Sequence, residues 1–263
     1  MQPVEFPARD GYVLHGYLTL PVHRPAAQRV PLIALSHGGP RLRDERDFNR
    51  EVQFYAGLGY GVLQVNYRGS DGFGLAHLQT DIIAVGHISV DDVADGLRWT
   101  VAQGYADPKR LVAMGGSYGG YIAMGLATRY PELTAAVVGF AGVYDWRKHI
   151  ELATYNHATA YAWMSRYFPP VKDREQDYAA ISPVTMAAQV RAPVLLLHGE
   201  SDEVVDIEQS ELMRKALLKA GKSVQLVADV ANIHGLPKQQ SRFDYYRTVT
   251  AFLLANAPPD AVP

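Results

Sequence analysis

Compact apolar runs alternate along the chain with longer segments in which apolar and polar residues are mixed. The compact runs lack the strict apolar–polar alternation of a half-exposed strand, and they suit strands buried on both faces, as in a parallel sheet. Six runs have this form: 31–39, 60–69, 110–117, 133–142, 192–200 and 223–229. The opening segment VEFPARDGYVLHGYLTLP has turn residues between two alternating stretches, which predicts a hairpin.

Helical patterns separate the strands. They cover residues 51–59, 89–104, 117–130, 206–221 and 240–256. Ser89 and Asp206 are the expected N-caps of two helices, and Gly104 and Gly221 are the expected C-terminal glycines. Strands that alternate with helices predict an α/β protein whose central sheet is mostly parallel and is flanked by helices.

Residues 143–191 break the alternation. This segment is rich in aromatic residues and is interrupted by Pro169, Pro170 and Pro183. We expect an insertion that packs over one end of the sheet, where it would cover an active site. Because the chain shows no internal repeat, low-complexity tract or Pro/Ser-rich linker, a single domain over residues 1–263 is the simplest organisation.

Composition excludes several classes of protein. The formal net charge of −2 gives neither the basic footprint of a nucleic-acid binder nor a bias towards a membrane surface. No apolar run approaches the roughly 20 residues that span a bilayer. The absence of cysteine excludes disulfides, thiolate catalysis and cysteine-ligated metals. The first residues show no signal-peptide pattern, so we expect a cytoplasmic location; a periplasmic one stays open for an excised domain.

The segment GGSYGGY places Ser117 in the pattern G-x-S-x-G. A strand pattern precedes it and a helix pattern follows it, which is the setting of a nucleophile elbow. In such a turn the serine adopts strained backbone geometry, and small neighbours let the strand and helix approach. The alternatives are a glycine-rich turn with serine as N-cap and a phosphate-binding loop. No G-x-x-x-x-G-K-[ST] motif occurs in the chain.

A nucleophilic serine needs a base, and the base needs an orienting acid. In the order expected for this fold class, the acid and then the histidine follow the serine. Asp202 and His234 stand in loops after successive predicted strands and fit these roles. Asp206 is the rival acid, although a helix N-cap suits it better.

Three other histidines need a separate interpretation. His198 lies at a strand end and is expected to be structural. His149 and His157 lie in the insertion; a surface position is the main expectation and a pocket position is the alternative.

The oxyanion formed during acyl transfer needs preorganised donors. The backbone N–H of Tyr118 is one expected donor, and the loop that carries His37, Gly38 and Gly39 is expected to supply the second. A simple turn is the alternative for this loop. No metal site or cofactor is expected, and the Asp91-Asp92 pair is interpreted as a capping and dipole feature at a helix start.

Together these motifs resemble the catalytic domain of the prolyl oligopeptidase family of serine peptidases. The resemblance covers nearly the whole chain, including DGYVLHGYLTLP, SHGGP, GYGVLQVNYRGSDGFG, GGSYGGY, LLLHGESDEVVD and IHG. It implies an α/β-hydrolase fold with Ser117, Asp202 and His234 as the triad. The HGGP sequence is most similar to the acylaminoacyl peptidase-like branch.

The resemblance also implies a substrate pocket. Dipeptidyl peptidases of the family place a tryptophan and small apolar residues beside the nucleophile. The matching residues are Val143, Trp146 and Val205, with Tyr118 over the nucleophile. An ordinary core position is the alternative for each of them.

Two features depart from the family pattern. Family peptidases normally carry a β-propeller before the hydrolase domain, and only a short hairpin stands there in this sequence. The chain is therefore expected to be a stand-alone relative or a catalytic domain separated from its propeller. An Arg or Asn that holds a peptide carbonyl often follows the acid by two positions, and here that position is Val204.

The leading hypothesis is a serine hydrolase that cleaves short peptide, acyl-amino-acid or aryl-amide bonds through an acyl-enzyme. A carboxylesterase acting on small acyl esters is the enzymatic alternative, and a catalytically silent binding module is the non-enzymatic one. The expected partner is a small peptide or ester substrate, with no nucleic acid and no membrane. A homo-oligomer stays open, because nothing in the sequence identifies an interface.

Overall fold

The computed structural model describes residues 1–22, 24–25, 27–78, 82–156, 171–229 and 233–260. Within these residues a sheet of eight strands crosses the molecule in the order β1-β2-β4-β3-β5-β6-β7-β8. The strands are β1 (Gln2–Pro7), β2 (Val13–Thr19), β3 (Val30–Ser36), β4 (Gly61–Asn66), β5 (Ala106–Gly116), β6 (Ala136–Phe140), β7 (Val194–Gly199) and β8 (Val224–Asp229).

The sheet is antiparallel at one edge and parallel elsewhere. Strands β1 and β2 form the predicted opening hairpin, and β2 pairs antiparallel with β4. Every pairing from β4 to β8 is parallel. All residues of β3, β4 and β7 are buried, which explains why these strands read as continuous apolar runs rather than as alternating patterns.

Helices cover both faces of this sheet. They are α1 (Arg50–Gly57), α2 (Leu75–Leu78), α3 (Ile82–Ala102), α4 (Tyr118–Arg129), α5 (Trp146–Asn156), α6 (Glu175–Ile181), α7 (Glu208–Lys219) and α8 (Gln239–Asn256). One buried cluster joins the sheet to α3, α4 and α7, and a second joins the opposite face to α1 and α8. The predicted α/β architecture is therefore confirmed. Among the described residues, no helix combines the length and the apolar character needed to cross a membrane.

The start of α3 differs from the prediction. The helix begins at Ile82, so Ser89 lies inside it and is not an N-cap. The Ser89 side chain is buried, and its Oγ lies 3.0 Å from the Tyr118 hydroxyl. Gly86 made the first turns hard to predict as helix; a Cβ there would make a tight contact of 3.1 Å with the Tyr121 hydroxyl.

The Asp91-Asp92 pair also lies within α3, so its interpretation as a helix-start feature is wrong. The Asp92 side chain is fully buried and accepts hydrogen bonds from the backbone and guanidinium of Arg68, which follows β4. Asp91 faces Arg129 of α4 at 2.6 Å. The two carboxylates therefore connect α3 to its neighbours.

The two expected C-terminal glycines are found. Gly104 and Gly221 both have positive φ, at 75° and 71°, just after α3 and α7. The Asp206 carboxylate accepts the Glu208 N–H at 2.8 Å, but the N-cap position of α7 is Ile207, one residue later than predicted. The two glycines end helices by local hydrogen bonding, which is why their positions could be predicted.

The segment between β6 and β7 supplies α5, α6 and two 3₁₀ turns, Val171–Asp173 and Pro183–Gln189. The second turn packs against α4 and α7, and α6 packs against α3 and α5. The end of the insertion thus contributes to the helical layer. Pro169 and Pro170, like His157, lie outside the described residues.

Parallel register brings the ends of β5, β6, β7 and β8 to one edge. Gly116 pairs with Phe140, Phe140 pairs with Leu197, and Gly199 pairs with Asp229. The loops that follow these strands must therefore meet at the carboxyl edge of the sheet.

Candidate active site

Ser117 forms the turn between β5 and α4. Its backbone has φ 57° and ψ −122°, a conformation that side-chain-bearing residues rarely adopt. The Ser117 N–H donates to the Phe140 carbonyl at 2.8 Å, and the Ser117 carbonyl accepts from Tyr121 at 3.1 Å. Ser117 occupies the N-cap position of α4, but its side chain makes no capping hydrogen bond there. The hydroxyl is therefore not used to cap the helix.

The glycines around Ser117 have different roles. A Cβ on Gly119 would lie 2.0 Å from the Ser36 carbonyl oxygen, and one on Gly115 would lie 2.6 Å from Gly119 backbone atoms. A Cβ on Gly120 would lie 2.9 Å from the backbone of Gly142. Real side chains do not make such contacts, so these three glycines permit the close approach of β3, β5, β6 and α4.

Gly116 is the exception among these glycines. A Cβ there would meet Phe140 at 3.5 Å, an ordinary contact. The expectation that every glycine around the serine serves close packing is therefore too broad.

Asp202 and His234 lie together after β7 and β8. The His234 Nδ1 is 2.7 Å from the Asp202 Oδ2. The Asp202 side chain is fully buried, whereas that of His234 is 24% exposed. The second carboxylate oxygen of Asp202 accepts the N–H groups of Val204 and Val205, each at 2.9 Å. The acid is thus fixed on both oxygens, and the imidazole partly faces solvent.

The hydrogen bonds at Asp202 also determine the protonation state of its carboxyl group. Burial alone would raise the pKa of Asp202, but donors from two histidines and from the Val205 backbone hold it well below its usual range. The carboxylate is therefore ionised at neutral pH.

One of these donors is His198, which sequence reasoning assigned only a structural position. Its Nε2 lies 2.7 Å from the Val205 carbonyl oxygen and 3.5 Å from the Asp202 Oδ2, and its Nδ1 lies 2.7 Å from the Ser210 Oγ. The side chain is fully buried. The signal in the sequence was a histidine at the end of an apolar strand, because a buried imidazole needs polar partners.

The loop after β3 lies against the serine. A Cβ on Gly38 would be 3.4 Å from the Ser117 Cβ, so the loop lies close to the elbow. Gly39 has φ 125°, and a Cβ there would meet the Arg41 nitrogen at 2.4 Å. The loop therefore needs glycine at position 39, whereas a Cβ on Gly38 would make an ordinary contact.

The His37 side chain holds the same loop in place through contacts with the segment that follows β4. Its ring stacks on Tyr67 with centroids 4.3 Å apart, and its Nε2 lies 3.0 Å from the Ser70 Oγ. The Tyr67 hydroxyl donates to the His37 carbonyl at 2.9 Å. Burial lowers the pKa of His37 to about 4, so this imidazole is neutral at physiological pH. Tyr67 and Ser70 belong to the NYRGS segment, and their contact with the loop was not foreseen.

Comparison with known proteins identifies the family of the chain. A model of the prolyl oligopeptidase family of peptidases matches residues 46–258. The chain belongs to the prolyl oligopeptidase family. The resemblance in its motifs is thereby confirmed.

Similar members of the family include peptidases from bacteria and animals. Dipeptidyl aminopeptidase BIII of Pseudoxanthomonas mexicana is 30% identical over 259 residues, which cover 95% of this chain and 38% of that protein. The acylamino-acid-releasing enzyme of Mus musculus is 27% identical over 248 residues, 90% of this chain and 33% of that protein. This chain thus spans well under half the length of either relative.

Solved structures show the same fold. A puromycin-hydrolysing peptidase of Mycobacterium tuberculosis superposes with a TM-score of 0.88 at 26% identity, over 97% of this chain and 39% of that one. An acylaminoacyl peptidase of Pyrococcus horikoshii superposes with a TM-score of 0.87 at 23% identity. The mostly parallel sheet with its flanking helices is therefore the α/β-hydrolase fold.

The pocket residues inferred from the family are all buried. Val143, Trp146 and Val205 are each 2–3% exposed and belong to the same core cluster as Tyr118. The Tyr118 ring lies 5.9 Å from Trp146 and 5.1 Å from Tyr121. The structure thus brings these side chains together, and in the described state they pack as core.

His149 lies one turn after Trp146 on α5. It is partly buried rather than on the open surface, and its ring meets Trp146 edge-on at 5.8 Å. Burial lowers the pKa of His149 to about 4, and the charge of His234 acts in the same direction. His149 is therefore a neutral group near the Asp202–His234 pair.

Proposed function

We propose that this chain is a serine hydrolase domain that cleaves short peptide, acyl-amino-acid or aryl-amide bonds, with Ser117, Asp202 and His234 as its triad. The observation that carries the proposal is the 2.7 Å hydrogen bond between His234 and a buried, ionised Asp202. This pair stands at the same sheet edge as a serine in strained elbow geometry. Membership of a peptidase family supports the same chemistry.

The hydrogen bond defines the role of each imidazole nitrogen. A carboxylate can only accept, so the His234 Nδ1 carries the proton that Asp202 binds. The Nε2 atom is then the free base, and it removes the Ser117 proton as Oγ attacks the substrate carbonyl. Asp202 keeps the ring oriented and stabilises the imidazolium that results.

The remaining steps use the same groups. The Tyr118 N–H and the 37–39 loop bind the oxyanion of the tetrahedral intermediate. His234 then protonates the leaving group, which departs and leaves an ester on Ser117. A water molecule, deprotonated by His234, attacks this acyl-enzyme and releases the acid product. Each proton removed is returned, so no cofactor is required.

The relatives support the substrate class. Their names refer to dipeptidyl aminopeptidase, acylamino-acid release and puromycin hydrolysis. Because the chain matches only a part of each relative, the preference of this chain must be measured directly.

A carboxylesterase is the second candidate, and Val204 favours it. Its side chain is 60% exposed beside Asp202, at the position where many family peptidases carry a residue that holds a peptide carbonyl. Valine cannot supply that hydrogen bond. An ester has a better leaving group than an amide and depends less on such binding.

Labelling and substrate comparison test both proposals. A fluorophosphonate probe should label the wild type and should not label Ser117→Ala; an unlabelled, folded wild type would instead indicate a binding module. Values of kcat/KM on aminoacyl anilides and on matched p-nitrophenyl esters then separate the two enzymes. Turnover of esters alone would exclude the peptidase function. The kcat/KM of the active enzyme should rise with pH between about 5 and 8, where histidine loses its proton.

A further inference from the structure

Asp202 receives two imidazoles on one oxygen. Its Oδ2 is 2.7 Å from the His234 Nδ1 and 3.5 Å from the His198 Nε2. The mechanism uses only the first contact. The second comes from a side chain that has no access to solvent and cannot reach a substrate directly. Its effect must pass through Asp202.

The partners of His198 fix its tautomer. The Val205 carbonyl can only accept, so the Nε2 that lies 2.7 Å from it carries a proton. Asp202 Oδ2 therefore faces an N–H group as well. On the other side of the ring, the Ser210 Oγ lies 2.7 Å from Nδ1 and can donate to it. Ser210 belongs to α7 and is itself buried, so the imidazole is held between a helix and the acid loop.

The turn from Asp202 to Val205 is closed by these contacts. Asp202 accepts the Val205 N–H on Oδ1, while the Val205 carbonyl accepts from His198. One imidazole thus binds both the first and the last residue of the turn. Movement of the ring would change the position of the carboxylate that orients His234.

We propose that His198 is a positioning residue, which holds the Asp202 turn and shares the charge of the Asp202 carboxylate with His234. The proposal rests on the proposed serine hydrolase function. A donor on Oδ2 withdraws electron density from the carboxylate, so Asp202 binds the His234 imidazolium less tightly than it would alone. Loss of that donor should make the base easier to protonate.

The expected signature is a shift in pH dependence. Three histidines lie around Asp202: His198, His234 and His149, the last of which is neutral above a pKa of about 4. Of these three imidazoles, only His234, at 2.7 Å, and His198, at 3.5 Å, place a ring nitrogen near a carboxylate oxygen of Asp202. In His198→Phe the acidic limb of the kcat/KM profile should move to higher pH by about half a unit or more, and kcat should fall.

Conservative replacement separates positioning from packing. His198→Gln keeps an N–H at about the reach of Nε2 and should return the acidic limb close to that of the wild type. His77→Phe is the matched control. His77 is also fully buried, with its Nε2 3.0 Å from the Tyr67 carbonyl, but it donates nothing to Asp202. It should lower stability without moving the acidic limb.

Profiles from pH 5 to 9 on unlabelled, folded variants decide the matter, with a separate sample of each variant tested for reaction with the fluorophosphonate probe. An unshifted limb in His198→Phe, or an equal shift in His198→Gln, would overturn the proposal. If His198→Phe does not fold, His198→Asn replaces it, because asparagine is too short to reach Asp202 and is judged by the same criterion. Failure of the wild type to be labelled would instead reject the hydrolase function on which the proposal rests.

Discussion

Ser117 owes its position to contacts of its neighbours rather than of its own side chain. Gly115, Gly119 and Gly120 leave the space that neighbouring backbone occupies in the elbow. Gly116, directly before the serine, is not needed for this close packing. A methyl group at Gly119 would overlap the carbonyl at the end of β3, which also leads into the 37–39 loop. The nucleophile and the proposed oxyanion loop therefore depend on one contact.

The first prediction compares two of these glycines. Gly119→Ala should lower the free energy of unfolding by at least about 2 kcal/mol and abolish fluorophosphonate labelling, because the strand and helix must move apart. Gly116→Ala meets only the Phe140 ring at 3.5 Å and should stay within about 1 kcal/mol of the wild type. Urea unfolding and labelling measure both effects. Equal sensitivity at the two positions would contradict this account of the elbow.

Asp44 carries the clearest pH dependence outside the triad. Burial raises its pKa to about 7, although a hydrogen bond from Gln64 acts in the opposite direction. One carboxylate oxygen has no hydrogen-bond partner among the described residues. Between about pH 4 and 7 the folded state therefore binds more protons at this site than the unfolded state. Its contribution to stability is present at low pH and is lost as the pH rises towards 7.

The second prediction follows from this fall in stability with increasing pH. Asp44→Asn removes the titration, so the stability of the variant relative to the wild type should increase from pH 5 to pH 8. Urea unfolding at both pH values measures the difference. Asp47→Asn, at an exposed position of the same loop, is the control and should show no such trend. A difference that stays constant with pH would contradict a titration of Asp44 between pH 5 and 8.

At the scale of elements, α3 is held to the sheet by charge as well as by packing. Arg68 follows β4 and meets Asp92 in the middle of α3, with side chains that are 9% and 0% exposed. Removal of Asp92 would leave the buried Arg68 with Asp10, whose side chain is 53% exposed, as its remaining carboxylate partner. Loss of the buried partner costs more than the loss of a surface pair.

The third prediction measures this pair. Asp92→Ala should lower the free energy of unfolding by about 3–5 kcal/mol, and the double variant Arg68→Met with Asp92→Leu should recover much of that loss. Asp260→Asn breaks a pair with Arg110 that is far more exposed and should cost less than about 1 kcal/mol. A double-mutant cycle in urea supplies the numbers. A small effect of Asp92→Ala would mean that Asp10, which also contacts Arg68, compensates for the lost carboxylate.

Prediction from sequence worked best where burial is uniform. The central strands could be predicted because each is apolar along its whole length, and the helix ends at Gly104 and Gly221 because local hydrogen bonds determine them. The first turns of α3 could not, because Gly86 packs tightly against Tyr121 and Ile181, which are distant in sequence. The Asp91-Asp92 pair failed for the same reason, since Arg68 and Arg129 are tertiary partners.

The candidate site was likewise predictable from the sequence only in part. The order of Ser117, Asp202 and His234, together with their strand-end positions, was predictable because parallel strands bring their carboxyl ends to one edge. The contact between His198 and Asp202 was not, because the sequence does not show which face of the strand end the imidazole occupies. That Gly116, unlike its neighbouring glycines, is not required for close packing likewise follows only from the three-dimensional structure.

At the scale of the whole molecule, the two edges of the parallel sheet have different tasks. The carboxyl edge carries the candidate site. At the opposite edge the C-terminal residues fold back: Asp260 accepts from Arg110 at 2.8 Å and from Gln28 at 3.0 Å, and Ala257 is fully buried. These contacts lie near the starts of β3 and β5.

The fourth prediction uses this separation. A chain that ends at Asn256 should have a lower Tm than the full chain, because it loses the Arg110 contacts and the burial of Ala257. Its kcat/KM, measured well below that Tm, should be unchanged. Thermal unfolding and initial rates test the two statements independently. A fall in kcat/KM at temperatures where the shortened chain is fully folded would show that the edges are coupled.

Short β6 lies between the two halves of the reaction machinery. Its Phe140 carbonyl holds the Ser117 N–H, and the next residue, Ala141, donates to Leu197 of β7. Everything proposed to attack a substrate and bind its oxyanion is encoded before this strand, and everything proposed to move protons is encoded after residue 193. The proposed pocket residues Val143 and Trp146 lie in the intervening stretch, outside both sets. Changes at these two positions are therefore expected to alter the substrate preference while the attacking and proton-transferring groups stay in place.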